Sequence, residues 1–117
     1  KSHNFRELKI WQEAMILVKD VYSLTNDLPT EERFGLISQV NRCAVSIPSN
    51  IAEGSGRTSE KEFIHFLRIA ISSSYELETQ LILMKDIYKV ESEEILIKLS
   101  SLQNRIGAFI RKINENV

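Results

Sequence analysis

The sequence holds a single cysteine, Cys43, in 117 residues, which excludes an internal disulfide and any cysteine-based zinc site. Four glycines and two prolines are too few for a turn-rich all-β fold or for flexible linkers. No apolar run approaches the ~18–20 residues of a membrane-spanning helix. No secretory signal is visible. The expected location is therefore cytoplasmic, with no membrane partner. Charge of one sign is lacking as well. Fifteen Lys and Arg oppose sixteen Asp and Glu, for a net charge of −1. Dedicated nucleic-acid binders are as a rule strongly basic, so bulk charge argues against that class. The chain opens with Lys1 rather than Met, so the natural N-terminus is expected to lie further upstream.

What is present is ordinary for a globular protein: 43% hydrophobic and 26% charged residues. The length predicts one domain over residues 1–117. The few glycines and prolines punctuate long stretches of helical periodicity. The first helix is expected from about Phe5 to Asp27, with Asn4 and Glu7 as a weak capping box. Leu28-Pro29-Thr30 breaks the chain. Thr30, followed by Glu31 and Glu32, opens the second helix, which runs to about Gly54. Ser59 with Glu62 is a clear capping box for the third, which runs to about Tyr88. Ser92 opens the fourth, whose Ile95, Leu99, Leu102, Ile106, Phe109 and Ile113 form a heptad seam. Long helices with short connections predict an all-α fold, an antiparallel up-down-up-down four-helix bundle. Pro48 offends the pattern, because a proline inside a helix removes a hydrogen bond. The second helix is either kinked near Pro48 or divided in two; the continuing face pattern favours the kink.

Two helices carry more apolar face than one bundle needs. On the first, Ile10, Ala14, Leu17, Val21, Leu24 and Leu28 form one seam. Leu8, Trp11, Met15, Val18 and Tyr22 form another, about 110° round the helix. On the third, Ile64, Ile71, Tyr75 and Ile82 stand beside the core face of Phe63, Phe66, Leu67, Ala70, Leu77, Leu81, Met84 and Tyr88. Second stripes that include Trp and Tyr predict an oligomer interface between copies of the chain. A wide core with half-buried flanks is the alternative.

The second helix carries a polar stripe. Gln39, Arg42, Ser46, Asn50, Glu53 and Arg57 fall within a band of roughly 80° beside the core stripe. Together with Glu76 and Gln80 of the third helix they are expected to form a structural hydrogen-bonded network. A ligand cleft is the less favoured reading of the same residues.

The run from Gln39 to Arg57, QVNRCAVSIPSNIAEGSGR, resembles the signature of a bacterial four-helix-bundle family. That family is named for proteins encoded in the intervening sequences of 23S ribosomal RNA genes, and is also filed as a small-subunit-type ribosomal protein. Phe5, Leu8, Trp11, Gln12 and Ala14 agree with it, as do Pro29, Glu32 and Leu36. Phe63, Phe66, Leu67, Ala70, Ser73, Glu76 and Leu77 follow. The likeness spans roughly residues 5–90, and the fourth helix matches in pattern only. Cys43 stands where another small residue is expected. The family is similar in fold to the accessory protein of diversity-generating retroelements. The resemblance implies a ring-shaped homopentamer and an association with ribosomal RNA through gene location, but no molecular activity.

Candidate chemistry is sparse. Glu62 and His65 have the Glu-x-x-His spacing of di-iron bundles, which need a second such motif; no metal is expected. No Ser-His-Asp or Cys-His arrangement is credible with two histidines. No cofactor and no enzymatic activity are expected. Gly54-Ser55-Gly56 reads as a helix C-cap and turn. It leads into a helix N-terminus where Arg57, Thr58, Ser59 and Lys61 are candidates for phosphate contact. Arg111 and Lys112 belong to the same end of an up-down bundle. That end gathers eight bases (Lys1, Arg6, Lys9, Arg57, Lys61, Arg105, Arg111, Lys112) against five acids, and the other end eight acids against four bases. The leading expectation is a non-enzymatic homo-oligomeric scaffold or adaptor with itself, and a partner protein, as partners. The alternative is an RNA-binding protein that contacts ribosomal RNA through the basic end of the oligomer.

Overall fold

The computed structural model describes residues 3–116. Four helices form the molecule: α1 (Lys9–Thr25), α2 (Leu36–Ser55), α3 (Glu60–Tyr88) and α4 (Glu93–Glu115). Short 3-10 turns at Phe5–Glu7 and Thr30–Glu32 precede α1 and α2. The bundle measures 47 × 23 × 20 Å, the long axis being close to the ~43 Å expected for 29 helical residues at 1.5 Å each.

Each helix packs against the next in chain order, and α4 closes against α1. Side-chain pairs fix the directions. Along α1 and α4, Glu13 meets Arg105 at 3.3 Å and Asp20 meets Lys98 at 2.7 Å, so one sequence rises as the other falls. Ser46 on α2 meets Ser73 on α3, and Gly54 further up α2 approaches Phe63 and Phe66. Both pairs of neighbours are therefore antiparallel, as the short connections predict.

Two boundaries differ from the sequence expectation. α1 begins at Lys9, because Leu8 is extended and Asn4 caps the 3-10 turn instead, its Oδ1 accepting from the Arg6 backbone N–H. α2 begins at Leu36 rather than at Thr30. Its start is held by Glu32, whose carboxylate accepts from the Leu36 backbone N–H at 2.9 Å and from the Tyr88 hydroxyl. Pro48 is buried inside one continuous helix, in line with the favoured reading, and the alternative of two helices is excluded. The Ser59 cap is as expected, accepting from the Glu62 N–H at 3.1 Å.

The core runs the length of the bundle. Leu17, Val21, Ile47, Ile51, Leu67, Leu77, Leu81, Leu99 and Ile106 are almost fully buried. On α4 the heptad seam is corrected near its end. Ile110 takes the core position, and Phe109 becomes a half-buried flank, edge-on to Phe63 at 5.7 Å. A straight helix drifts about 20° per heptad against a strict seven-residue repeat, which carries Phe109 off the seam two heptads after Ile95, while Ile113 stays buried as expected.

Candidate functional surfaces

The polar stripe of α2 divides into parts. At its centre the Ser46 and Ser73 hydroxyls lie 2.8 Å apart, and the Asn50 amide donates to the Ser46 hydroxyl and carbonyl. These contacts tie α2 to α3 in a half-buried layer. At the C-terminal end Arg57 donates to Glu53 at 2.6 Å across one helical turn and stacks over Phe66 at 4.6 Å. That pair is exposed and stands apart from Glu76 and Gln80. Exposed ion pairs of this kind contribute little to stability.

At the N-terminal end the stripe opens into a groove between α2 and α3, about 460 Å³ in volume. Gln39, Arg42, Cys43, Ser46, Ser73, Glu76 and Gln80 line it, and Phe34 forms one wall. Burial pushes the Cys43 thiol above its ordinary pKa, and Glu76 adds to the rise, so the thiol is protonated at neutral pH. Such a thiol is a poor nucleophile. Gln80 hydrogen-bonds the Cys43 sulfur, while its Oε1 is buried without a hydrogen-bond partner. Phe34 is 89% exposed. Sequence reasoning missed Phe34, since a lone aromatic in a loop carries no periodic signal.

The apolar stripes are distributed unevenly. Ile64 is buried in the core and does not belong to a free face. Leu8, Trp11, Val18 and Ile71 are half-buried flanks packed on the core, as a wide core face requires. Met15 lies with Trp11 and Val18 in an apolar groove completed by Val45, Pro48, Ser49 and Ala52 of α2. Tyr22, Tyr75 and Ile82 are exposed, Tyr75 at 57%. What remains uncovered of the two stripes thus lies on two sides, while Ile16, Leu83, Ile87 and Ile97 are exposed outside them. One is the α1–α2 side. The other is the flank of α3 on which Glu78 reaches Gln103 of α4.

Two of the residues considered for phosphate contact are engaged by other groups. Arg57 is held by Glu53 and Phe66, and Ser59 caps α3. Thr58, Lys61, Arg111 and Lys112 are exposed at the same end of the bundle; Lys1 lies outside the described residues. His3 closes this end, its backbone N–H donating to the Ser55 carbonyl and its ring resting on Phe63 beside Glu60. Glu62 and His65 both stay exposed. Among the described residues no group of three or more His, Cys, Asp or Glu side chains is placed to hold a metal ion. None of the described helices is long and apolar enough to cross a membrane.

A tightly packed core, a polar seam between α2 and α3, and apolar side chains left exposed on the outside define a small four-helix-bundle protein whose distinctive chemistry lies on its surface. The chain belongs to the 23S rRNA-intervening sequence protein family, whose model matches residues 6–112. No curated protein matches it. The match reaches into α4, beyond the stretch in which the motif residues are concentrated.

Proposed function

We propose that this protein is a non-enzymatic scaffold that works as an assembly of identical copies. The observation that carries this reading is the position of its spare apolar surface. Val45 is 39% exposed beside the apolar α1–α2 groove, while Tyr75 and Ile82 are 57% and 46% exposed on the α4 flank of α3. In a square bundle these two sides are opposite. Two different patches on opposite sides favour a head-to-tail contact, which repeats and closes into a ring when the rotation permits. The pentamer implied by the family resemblance is one such closed form. Tyr75→Glu places a charge in the contact without touching the core. It is expected to convert the assembly to monomers in sedimentation velocity while leaving the helical circular dichroism spectrum unchanged. An assembly of undiminished size would remove this interface.

A second reading, contact with ribosomal RNA, is favoured by the cations gathered at one end. Arg57, Lys61, Arg111 and Lys112 would add up across parallel subunits. Affinity carried by such contacts falls steeply with salt.

A further inference from the structure

The groove at the N-terminal half of α2 combines features that neither the core nor the outer apolar patches account for. Phe34 presents an aromatic ring 89% exposed to solvent, and Arg33 covers one face of it at 5.3 Å. Deeper in, Gln80 Oε1 is a buried acceptor without a donor. Glu76 is exposed, and the contact it accepts from the Cys43 sulfur spans 3.9 Å, the limit of a sulfur hydrogen bond. Arg42 stands on the opposite wall, exposed. The groove is thus one aromatic face, one cation and two acceptors, around a space of about 460 Å³. That volume is within the range of small-ligand sites, ~300–1,000 Å³.

An exposed aromatic ring beside convergent hydrogen-bonding side chains is the arrangement that receives an unstacked base. The ring supplies a sequence-tolerant platform, and the polar groups read the base edge. The acceptors select among the bases. Guanine alone offers two adjacent donors, N1–H and the N2 amino group, on one edge, which matches a carboxylate. Its O6 and N7 acceptors match an arginine. We infer that this groove binds a guanine base, stacked on Phe34, with its N1–H and N2 amino edge on the Glu76 carboxylate and its acceptor side towards Arg42. The base is presented either by an unpaired guanosine in a single strand or by a free guanine nucleotide. Arg42 and Glu76 offset one another within the groove and, among the described residues, Arg33, over the outer face of Phe34, is the one further cation beside it, so base binding depends only weakly on salt. This distinguishes it from phosphate contact at the basic end, on which the inference does not rest.

The test uses the full chain and two kinds of probe. One is guanosine monophosphate, with inosine and adenosine monophosphates beside it. The other is a fluorescein-labelled octauridine carrying one central guanosine, inosine or adenosine. Inosine lacks the N2 amino group, and its loss is expected to weaken binding about tenfold, the equivalent of one hydrogen bond of about 1.4 kcal/mol. Glu76→Gln should remove most of the preference for guanosine over inosine. Phe34→Ala should weaken every base by a similar factor and leave the helical spectrum intact. Binding of the free nucleotide and the guanosine-bearing strand with equal base preference assigns the groove to the base itself. Preference confined to the strand assigns it to unpaired RNA. Oligonucleotide binding that is blind to the base and to both variants would overturn the inference while leaving the basic-end reading in place. Absence of any guanosine preference in both probes would overturn it outright. A change in assembly size on Phe34→Ala would also overturn it, since the ring would then be packed against another copy.

Discussion

At the scale of single residues, the signature on α2 is explained less by chemistry than by distance. Gly54 lies where α2 crosses α3, and a Cβ there would sit 2.6 Å from the Phe66 Cβ and 2.9 Å from Phe63. Neither neighbour has a flexible end to yield. Gly54→Ala is therefore expected to destabilise the fold by about 1–3 kcal/mol, the usual cost of overpacking. Gly56→Ala, two residues on, meets only open space and a carbonyl 3.9 Å away, with φ −88°. It should be neutral or stabilise by about 0.4–1 kcal/mol through the unfolded chain. Thermal melts of the two variants check the contrast, and equal melting temperatures would refute the close approach. From sequence, both glycines read as one C-cap. Only the packing partner separates them.

The Glu32–Tyr88 pair makes a second residue-scale prediction. Its hydrogen bond to Tyr88, and then that to the Leu36 N–H, holds the Glu32 carboxyl below its ordinary value of 4.5. The same bond raises Tyr88 above its ordinary 10.0. The lowered carboxyl contributes stability that is present above 4.5 and is lost as pH falls through the folded-state value. The raised phenol contributes stability present below 10.0 and lost as pH rises through its folded-state value. The stability difference between the wild type and Tyr88→Phe should be constant near neutral pH and shrink in acid. Denaturant titrations across the pH range test this, and a difference that stays unchanged over the whole acid range below 4.5 would separate the pair from the acid limb.

At the scale of elements, most of the fold is legible in the sequence because long amphipathic periods leave little choice. α3 and its Ser59 cap are placed as the capping box indicates, and α4 as its apolar repeat indicates. The starts of α1 and α2 are not, for a physical reason. Both depend on residues whose partners are remote or whose backbone turns away: extended Leu8 before α1, and Glu32 bonded to Tyr88, 56 positions later, before α2. The α3 terminus holds one more strained point. Lys89 caps the helix at φ 60°, its N–H donating to the Lys85 and Met84 carbonyls. A side chain in this left-handed conformation costs about 1–2 kcal/mol that glycine avoids. Lys89→Gly should raise stability by about 0.5–1 kcal/mol after the greater freedom of the unfolded chain is counted. A lowered melting temperature would show that the lysine stem contributes more than its backbone costs.

At the scale of the whole molecule, the sequence shows an excess of apolar surface but not where it lies. A helical wheel assigns Ile64 and Trp11 to a spare stripe, because it cannot know the angle at which the neighbouring helix arrives. The bundle takes Ile64 into its core and half covers Trp11. Among what stays uncovered, Val45 on one side and Tyr75 on the other bear on the symmetry of the proposed contact between copies. In a two-fold contact the same patch meets itself, so a charge in that patch disables both partners and mixing variants restores nothing. In a head-to-tail contact each copy offers two different patches. Val45→Glu and Tyr75→Glu would then each be monomeric alone, yet each keeps one intact side. Mixed at equal concentration, they should form one-to-one dimers that grow no further. Because the restored contact is apolar, these dimers should persist in high salt, where contacts between exposed charges are screened within about 3 Å at 1 M. Native mass spectrometry of the mixture reads the outcome directly. Continued monomers in the mixture would remove the head-to-tail arrangement, and dimers of one variant alone would place a two-fold contact on that variant's intact side.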